Sequence, residues 1–363
     1  MGPALNLPRL VFGAGSLAQL PEELAMLGVE RPLLVSDRGI ERAGLVDRVP
    51  AAAERFVDVP ENPTAACADA AVEAYRAAGC DGVVALGGGS AIDAAKIVAA
   101  LAARPTARAA DVIGHPGRIA AVAPLVAVPT TVGTGSESSP VAALHLDPGP
   151  AVGTRGSLLV PRTAICDPDL VRTLPRRLIA ATAIDALSHC VEGFCAEPPN
   201  PVADALALDG AARVFASLQA ALEPDGDDAR ASLMAAAFAG GAAIHKGLGP
   251  AHAIALTCGD QPVHHGTLIG VALPHTLRLL TSHVPAKIAR LSAAVGLPGT
   301  ALADAVAALV AALGLPATLA AAGYRIDDPD RLADSMARSH FNRTSPYAPT
   351  RDEYRRLVDA IAA

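Results

Sequence analysis

A concentrated basic patch is missing from this sequence. Lysine occurs only at positions 96, 246 and 287, and 36 acidic residues against 29 lysines and arginines leave a formal charge of −7. Neither nucleic acid nor an acidic membrane surface fits such a chain, because each calls for clustered positive charge. Long apolar runs are missing too. The longest, IAAVAPLVAVP, is interrupted by proline and falls far short of the ~20 residues that span a bilayer. The opening MGPALNLPRLVFGAGS carries neither a charged leader nor an apolar block of signal-peptide length, so no membrane and a cytoplasmic location are expected. No CxxC pair occurs among the six cysteines, which reads as buried, reduced thiols.

What is present is apolar bulk. Of 363 residues, 52% are hydrophobic and 18% charged, which excludes disorder and supports large cores. The length predicts two domains, since single cores stop growing near ~250–300 residues. In the first half, short apolar runs such as RPLLVSD, DGVVALGGG and PLVAVPTT alternate with alanine-rich helical stretches. Runs bounded by Gly, Pro or Asp suggest strands buried on both faces, hence a parallel sheet covered by helices. After AICDPDLVRTLP the strand signal fades and helices separated by Gly/Pro turns follow. The expected division is an α/β domain over 1–172 and an all-α domain over 173–363.

Two loops in the α/β half carry phosphate-binding character. In VVALGGGSAIDAAK, a strand runs through Gly88 and Gly89 into a helix opening at Ser90. Glycine permits a sharp turn and close approach of backbone to phosphate, and the helix start offers free N–H groups and positive dipole. Ser90 and Asp93 have the spacing of a capping box, and both are counted among the expected cofactor-binding residues. In VAVPTTVGTGSESSP, Thr130, Thr131, Thr134 and Ser136 supply hydroxyls while Gly133 and Gly135 allow close approach. Either loop alone is an ordinary turn; two at the ends of buried strands point to a ligand across those ends. Asp37, at the end of LLVSD, suits ribose hydroxyls and favours NAD over NADP, whose 2′-phosphate would meet a negative charge.

In ATAIDALSHCVEGF, Asp185 and His189 stand four apart and project from one helix face. Pro250 begins a further helix that carries His252, and His265 lies in VHHGTL. One carboxylate and three imidazoles would suit Fe²⁺ or Zn²⁺ with a position left for a substrate oxygen. Spacing alone leaves open whether the four converge.

The chain resembles the iron-containing (group III) alcohol dehydrogenases, in the branch with maleylacetate and phosphonoacetaldehyde reductases. The matching pieces are FGAGSL, VSD, ENPT, GGGSAIDAAK, VPTTVGTGSE, AICDPDLVRTLP, ATAIDALSHCVEGF, GLGPAH and HHGTL followed by ALPH, in family order across nearly the whole chain. The resemblance implies a Rossmann-like dinucleotide-binding domain followed by a helical metal-binding domain, as in the dehydroquinate synthase-like architecture, with the active site in the cleft between them. It matches Asp185, His189, His252 and His265 to the metal ligands and Gly88, Gly89 and Ser90 to the pyrophosphate loop. It also matches Thr130, Thr131 and Thr134 to the nicotinamide side, and Asp37 and Asn62 to the adenosine half. His264 and His275 are not ligands in this assignment, and His275 is expected as a packed histidine at a helix start. The family habit is a homodimer or larger assembly.

Position 256 departs from the pattern. Where family members carry a second histidine, one turn after His252, this chain has Leu256. Proton delivery would then fall to water, His264 or Cys258, or the pocket would be reshaped for a more apolar substrate. Lys246 invites two assignments, an anchor for an anionic substrate or an exposed lysine at a helix end. The expected function is an NAD(P)-dependent, metal-assisted interconversion of a small alcohol with its aldehyde or ketone. The alternatives are a reductase of an anionic substrate and metal- and NAD-using lyase or cyclase chemistry.

Overall fold

The computed structural model describes residues 4–50, 54–104, 106–146, 151–299 and 301–363. The chain forms two compact bodies, one from Asn6–Thr131 and Gly135–Leu174, the other from Pro175–Ala363 joined by Val132–Thr134.

The first body contains β1 (Arg9–Phe12), α1 (Leu20–Met26), β2 (Pro32–Val35), α2 (Arg38–Arg42), β3 (Glu54–Phe56), α3 (Ala65–Ala77), β4 (Gly82–Gly87) and α4 (Gly89–Ala102). It continues through α5 (Ala109–Val112), β5 (Leu125–Pro129), β6 (Val141–His145), β7 (Ala151–Arg155) and β8 (Thr163–Cys166). Six strands make one sheet in the order β1-β8-β5-β4-β2-β3, with every pairing parallel. Successive residues of β4 face opposite sides, and both sides are dry. Val83 and Ala85 join the core beneath α3 and α4, while Val84 and Leu86 join the one that includes Leu20 and Leu24 of α1. Burial on both faces explains why these strands read as unbroken apolar runs. Strands β6 and β7 form a separate antiparallel hairpin that the sequence reading did not anticipate.

Sheet order matters for the site. From β2 the chain builds outward to β3, and from β4 it builds the other way through β5. The reversal between β2 and β4 is a topological switch point, where open α/β sheets hold ligands at the carboxyl ends of strands. Asp37 follows one of these strands and the glycine loop follows the other.

The second body is helical: α6 (Arg176–Cys195), α7 (Pro201–Ala221), α8 (Asp227–Ala243), α9 (Pro250–Thr257), α10 (His265–His283), α11 (Pro285–Ala294), α12 (Leu302–Ala312), α13 (Pro329–Ala337) and α14 (Arg351–Ala362). Their starts are written locally. Pro occupies the first turn of α7, α9, α11 and α13, Asn200 caps α7, and Thr350 and Glu353 form a reciprocal capping box on α14. Helix α6 is long and apolar enough to cross a bilayer, but 94% of its most apolar stretch is buried inside the protein, as for a core helix. His275 lies in the middle of α10 rather than at a helix start, directly after Pro274, which the helix accommodates without ending.

Candidate active site

In the first body, Gly87 adopts φ 151° at the end of β4, a conformation few side chains tolerate, and a Cβ there would stand 2.8 Å from that of Ala91. The chain thereby turns straight into α4, which starts at Gly89 with Gly88 as its cap. Ser90 is therefore already inside the helix, and the expected capping box with Asp93 does not form. Ser90 Oγ instead donates to the carbonyl of Glu61, which ties the exposed bend carrying Asn62 to the glycine loop. The Asp93 carboxylate accepts from Ser136 Oγ and from the backbone N–H of Ala143 at 2.8 Å, and lies 3.7 Å from Lys96 Nζ. Lys96 donates to the carbonyls of Ser139 and Val141. This buried pair fastens the segment after the threonines onto α4. Asp93 is thus committed inside the protein rather than presented to a cofactor. Helix α4 starts one residue earlier than the serine suggested.

Asp37 caps α2 with one oxygen, Oδ1, accepting from Gly39 and Ile40 at 2.7 and 2.9 Å. Its second oxygen stands 3.4 Å from where a Gly87 Cβ would be, beside the glycine turn. Thr131 packs against Gly88, leaving 3.0 Å between its Cγ2 and a Cβ built there. Thr130 is buried, with an Oγ1 that no group among the described residues hydrogen-bonds. Thr134 belongs to the short piece that joins the helical body. There Gly133 runs against α6 so closely that a Cβ would lie 2.3 Å from the Thr182 carbonyl oxygen.

In the helical body the four expected ligands gather. Asp185 Oδ1 lies 3.6 Å from His189 Nε2, 3.6 Å from His265 Nε2 and 3.8 Å from His252 Nε2. Ligand atoms of Asp185, His189 and His252 all fall within 4.8 Å of one another, and these three side chains are buried. His265, the first residue of α10, is 45% exposed and borders the open side of the cluster. A tetrahedral ion with bonds of ~2.1 Å would hold its ligand atoms about 3.4 Å apart. The observed separations are slightly wider than that edge and too long for direct hydrogen bonds. Accordingly, Asp185 Oδ1 and His252 Nε2 are buried with no hydrogen-bond partner among the described residues. Orphaned polar atoms of this kind are rare in folded proteins, and a cation at their centre would satisfy them together. Burial opposes charge on Asp185, yet His189, His265 and His252 outweigh it and hold the carboxyl below its ordinary range. Burial holds the His189 ring below the usual range, against the pull of Asp185. An ionised Asp185 beside a neutral His189 is the protonation state that metal binding needs.

Glu192 was not singled out from the sequence. It follows His189 by one turn on α6, is buried, and receives three donors: Gly249 N at 2.9 Å, Ala251 N at 2.7 Å and His252 Nδ1 at 2.7 Å. The signal was present in DALSHCVE, whose spacing sets Glu192 on the face that carries Asp185 and His189. Phe341 packs edge-on against His252, its ring centre 5.7 Å away.

Other candidates fall elsewhere. Lys246 is neither an exposed helix-end lysine nor open to a substrate: it is buried, paired with Asp204, and donates to the Phe194 carbonyl at 2.9 Å. Neither expectation survives, because Phe194 of α6 and Asp204 of α7 take up its ammonium. His264 is the residue before α10, with a buried Nδ1 that has no partner. Cys258 is fully buried, and burial pushes its thiol up to about 12. Leu256 stands half-buried one turn after His252 on α9.

Residues 8–168 match the family description "Iron-containing alcohol dehydrogenase", and residues 179–362 match "Fe-containing alcohol dehydrogenase family, C-terminal". The chain belongs to the iron-containing alcohol dehydrogenase family. It is an oxidoreductase of the kind that uses NAD and a metal ion. A 4-hydroxybutyrate dehydrogenase from Cupriavidus necator is 40% identical over 96% of this chain and 96% of its own. A 1,3-propanediol oxidoreductase structure superposes with a TM-score of 0.93 at 26% identity, covering 99% of this chain and 100% of the other. The NAD⁺ complex of sulfoacetaldehyde reductase from Bifidobacterium kashiwanohense gives 0.92 at 25%, covering 100% and 99%.

Proposed function

We propose that this family member interconverts a short-chain primary alcohol and its aldehyde, with Asp185, His189, His252 and His265 holding one Fe²⁺ or Zn²⁺. Two buried, partnerless ligand atoms, Asp185 Oδ1 and His252 Nε2, carry the assignment. When bound, the ion acts as a Lewis acid on the substrate oxygen. In this assignment residues 1–172 hold the coenzyme and residues 173–363 the metal. Gly88, Gly89 and Ser90 receive the pyrophosphate, Thr130, Thr131 and Thr134 the nicotinamide side, and Asp37 and Asn62 the adenosine half. The uncommitted oxygen of Asp37 favours NAD over NADP. Leu256 and Phe341, beside His252, form apolar surface for the carbon chain of the substrate.

The C. necator relative puts short ω-hydroxy acids and their semialdehydes first among candidate substrates. The test is steady-state NADH oxidation with a panel of short aldehydes, charged and neutral, on protein first stripped by chelator and then reloaded with Fe²⁺ or Zn²⁺. Turnover that returns with metal supports the proposal. Turnover that ignores the metal, or product without net change in NADH, refutes it.

A further inference from the structure

Three side chains on one face of α6, at positions 185, 189 and 192, approach His252 from two directions. Asp185 lies on its Nε2 side and Glu192 on its Nδ1 side. The backbone N–H groups of Gly249 and Ala251 donate to the Glu192 side chain, one to each oxygen, and a carboxylate has no hydrogen of its own to give. Its bond to His252 therefore requires the proton on Nδ1, which leaves Nε2 as a bare lone pair facing Asp185. The other two donors are backbone groups at the start of α9, a helix whose own cap, Gly249, has no side chain to offer. A carboxylate is favoured there by the free N–H groups and the helix dipole. Room for it is tight: a Cβ on Gly249 would lie 3.0 Å from Glu192 Oε1. One carboxyl group thus fixes the position of α9, the orientation of the His252 ring and its tautomer, all relative to the helix that supplies Asp185 and His189.

We infer that Glu192 is the positioning residue of the metal centre, registering His252 to α6 and holding it in its ligating tautomer. The inference rests on the metal assignment proposed above. Its test is Zn²⁺ affinity, measured by competition with a chromophoric chelator, together with the visible spectrum of the Co²⁺-loaded protein. Glu192→Gln keeps the size but replaces one acceptor with an N–H donor pointed at other donors. It is expected to weaken Zn²⁺ binding 10- to 100-fold and to alter the Co²⁺ absorption bands, effects typical of lost support behind a ligand. Equal affinity and an identical spectrum in a folded Glu192→Gln protein would overturn the inference.

A second measurement does not depend on that variant folding. In ¹⁵N-histidine-labelled protein loaded with Zn²⁺, the ring signals that vanish in His252→Ala should report an Nδ1–H, Nε2-ligated imidazole. An Nε2–H ring at that position would equally overturn it. Wild-type protein that binds no Zn²⁺ at all would instead overturn the metal assignment, so the two failures are told apart.

Discussion

Asp185 and His189 stand one turn apart on α6, with Oδ1 and Nε2 3.6 Å from each other and no hydrogen bond on that oxygen. The pair is set to share something between them rather than to bind each other. Zn²⁺ added to the chelated protein at 100-fold over its dissociation constant should raise the unfolding free energy by about 2.7 kcal/mol. Asp185→Ala removes the carboxylate and should abolish that gain while leaving NAD⁺ affinity within twofold. A variant stabilised by Zn²⁺ as strongly as the parent would show that the ion binds elsewhere.

Lys246 supplies a contrasting case, a charge that looks functional in sequence and is structural in the fold. Its ammonium is buried against Asp204, which is itself only 17% exposed. Removing one member of such a pair leaves the other uncompensated and costs ~3–5 kcal/mol when burial is complete. Lys246→Met should therefore lower stability in urea unfolding by about 3 kcal/mol. The ratio of KM values for carboxylate-bearing and neutral aldehydes should stay constant. Unchanged stability with a tenfold rise in KM for the anionic substrate alone would restore the anchor role.

The two lysine expectations failed for a physical reason: sequence gives the residues flanking a position but not the helices that close over it. The residues proposed as metal ligands could be picked out because they sit on strongly patterned elements, Asp185 and His189 at a four-residue interval and His252 behind a first-turn proline. Their convergence was not legible, since it depends on how α6, α9 and α10 pack. Glu192 escaped notice because an acid three residues after a histidine is ordinary on any helix. Only its three donors, two of them from a segment 57 and 59 residues away, give it meaning. The parallel sheet could be read from runs buried on both faces. The β6–β7 hairpin could not, because β7 has only five residues, with an exposed glycine at its centre and an exposed arginine at its end.

Glu137 predicts a pH response that has nothing to do with the metal. It is buried, its Oε1 has no hydrogen-bond partner among the described residues, and burial pushes its carboxyl up from 4.5 to about 7. The folded chain holds this proton more tightly than the unfolded chain does. Its contribution to stability is therefore complete below pH 4.5 and is lost as pH rises through about 7. Neighbouring Lys96, pushed down by burial to about 8, changes its own contribution only above that range. Between pH 4.5 and 7.5 the parent should lose on the order of 2–3 kcal/mol more than Glu137→Gln, by urea unfolding. Parallel curves for the two proteins would show that Glu137 stays ionised in the fold.

Coenzyme choice can be tested at Asp37 without disturbing the helix it caps. Its Oδ1 accepts from Gly39 and Ile40, whereas its other oxygen is beside the glycine turn. Alanine would remove cap and charge together, with a loss of ~1 kcal/mol from the cap alone. Asparagine caps as well as aspartate does, so Asp37→Asn isolates the charge. A negative carboxylate close to the ribose would repel a 2′-phosphate, and a difference of about 1.4 kcal/mol corresponds to a factor of ten. The ratio of kcat/KM for NADPH to that for NADH should rise about tenfold in Asp37→Asn, with thermal stability unchanged. The effect should shrink as salt is raised, because an exposed charge pair is screened. A ratio that does not move, or that moves only together with stability, would mean that Asp37 is a helix cap and nothing more.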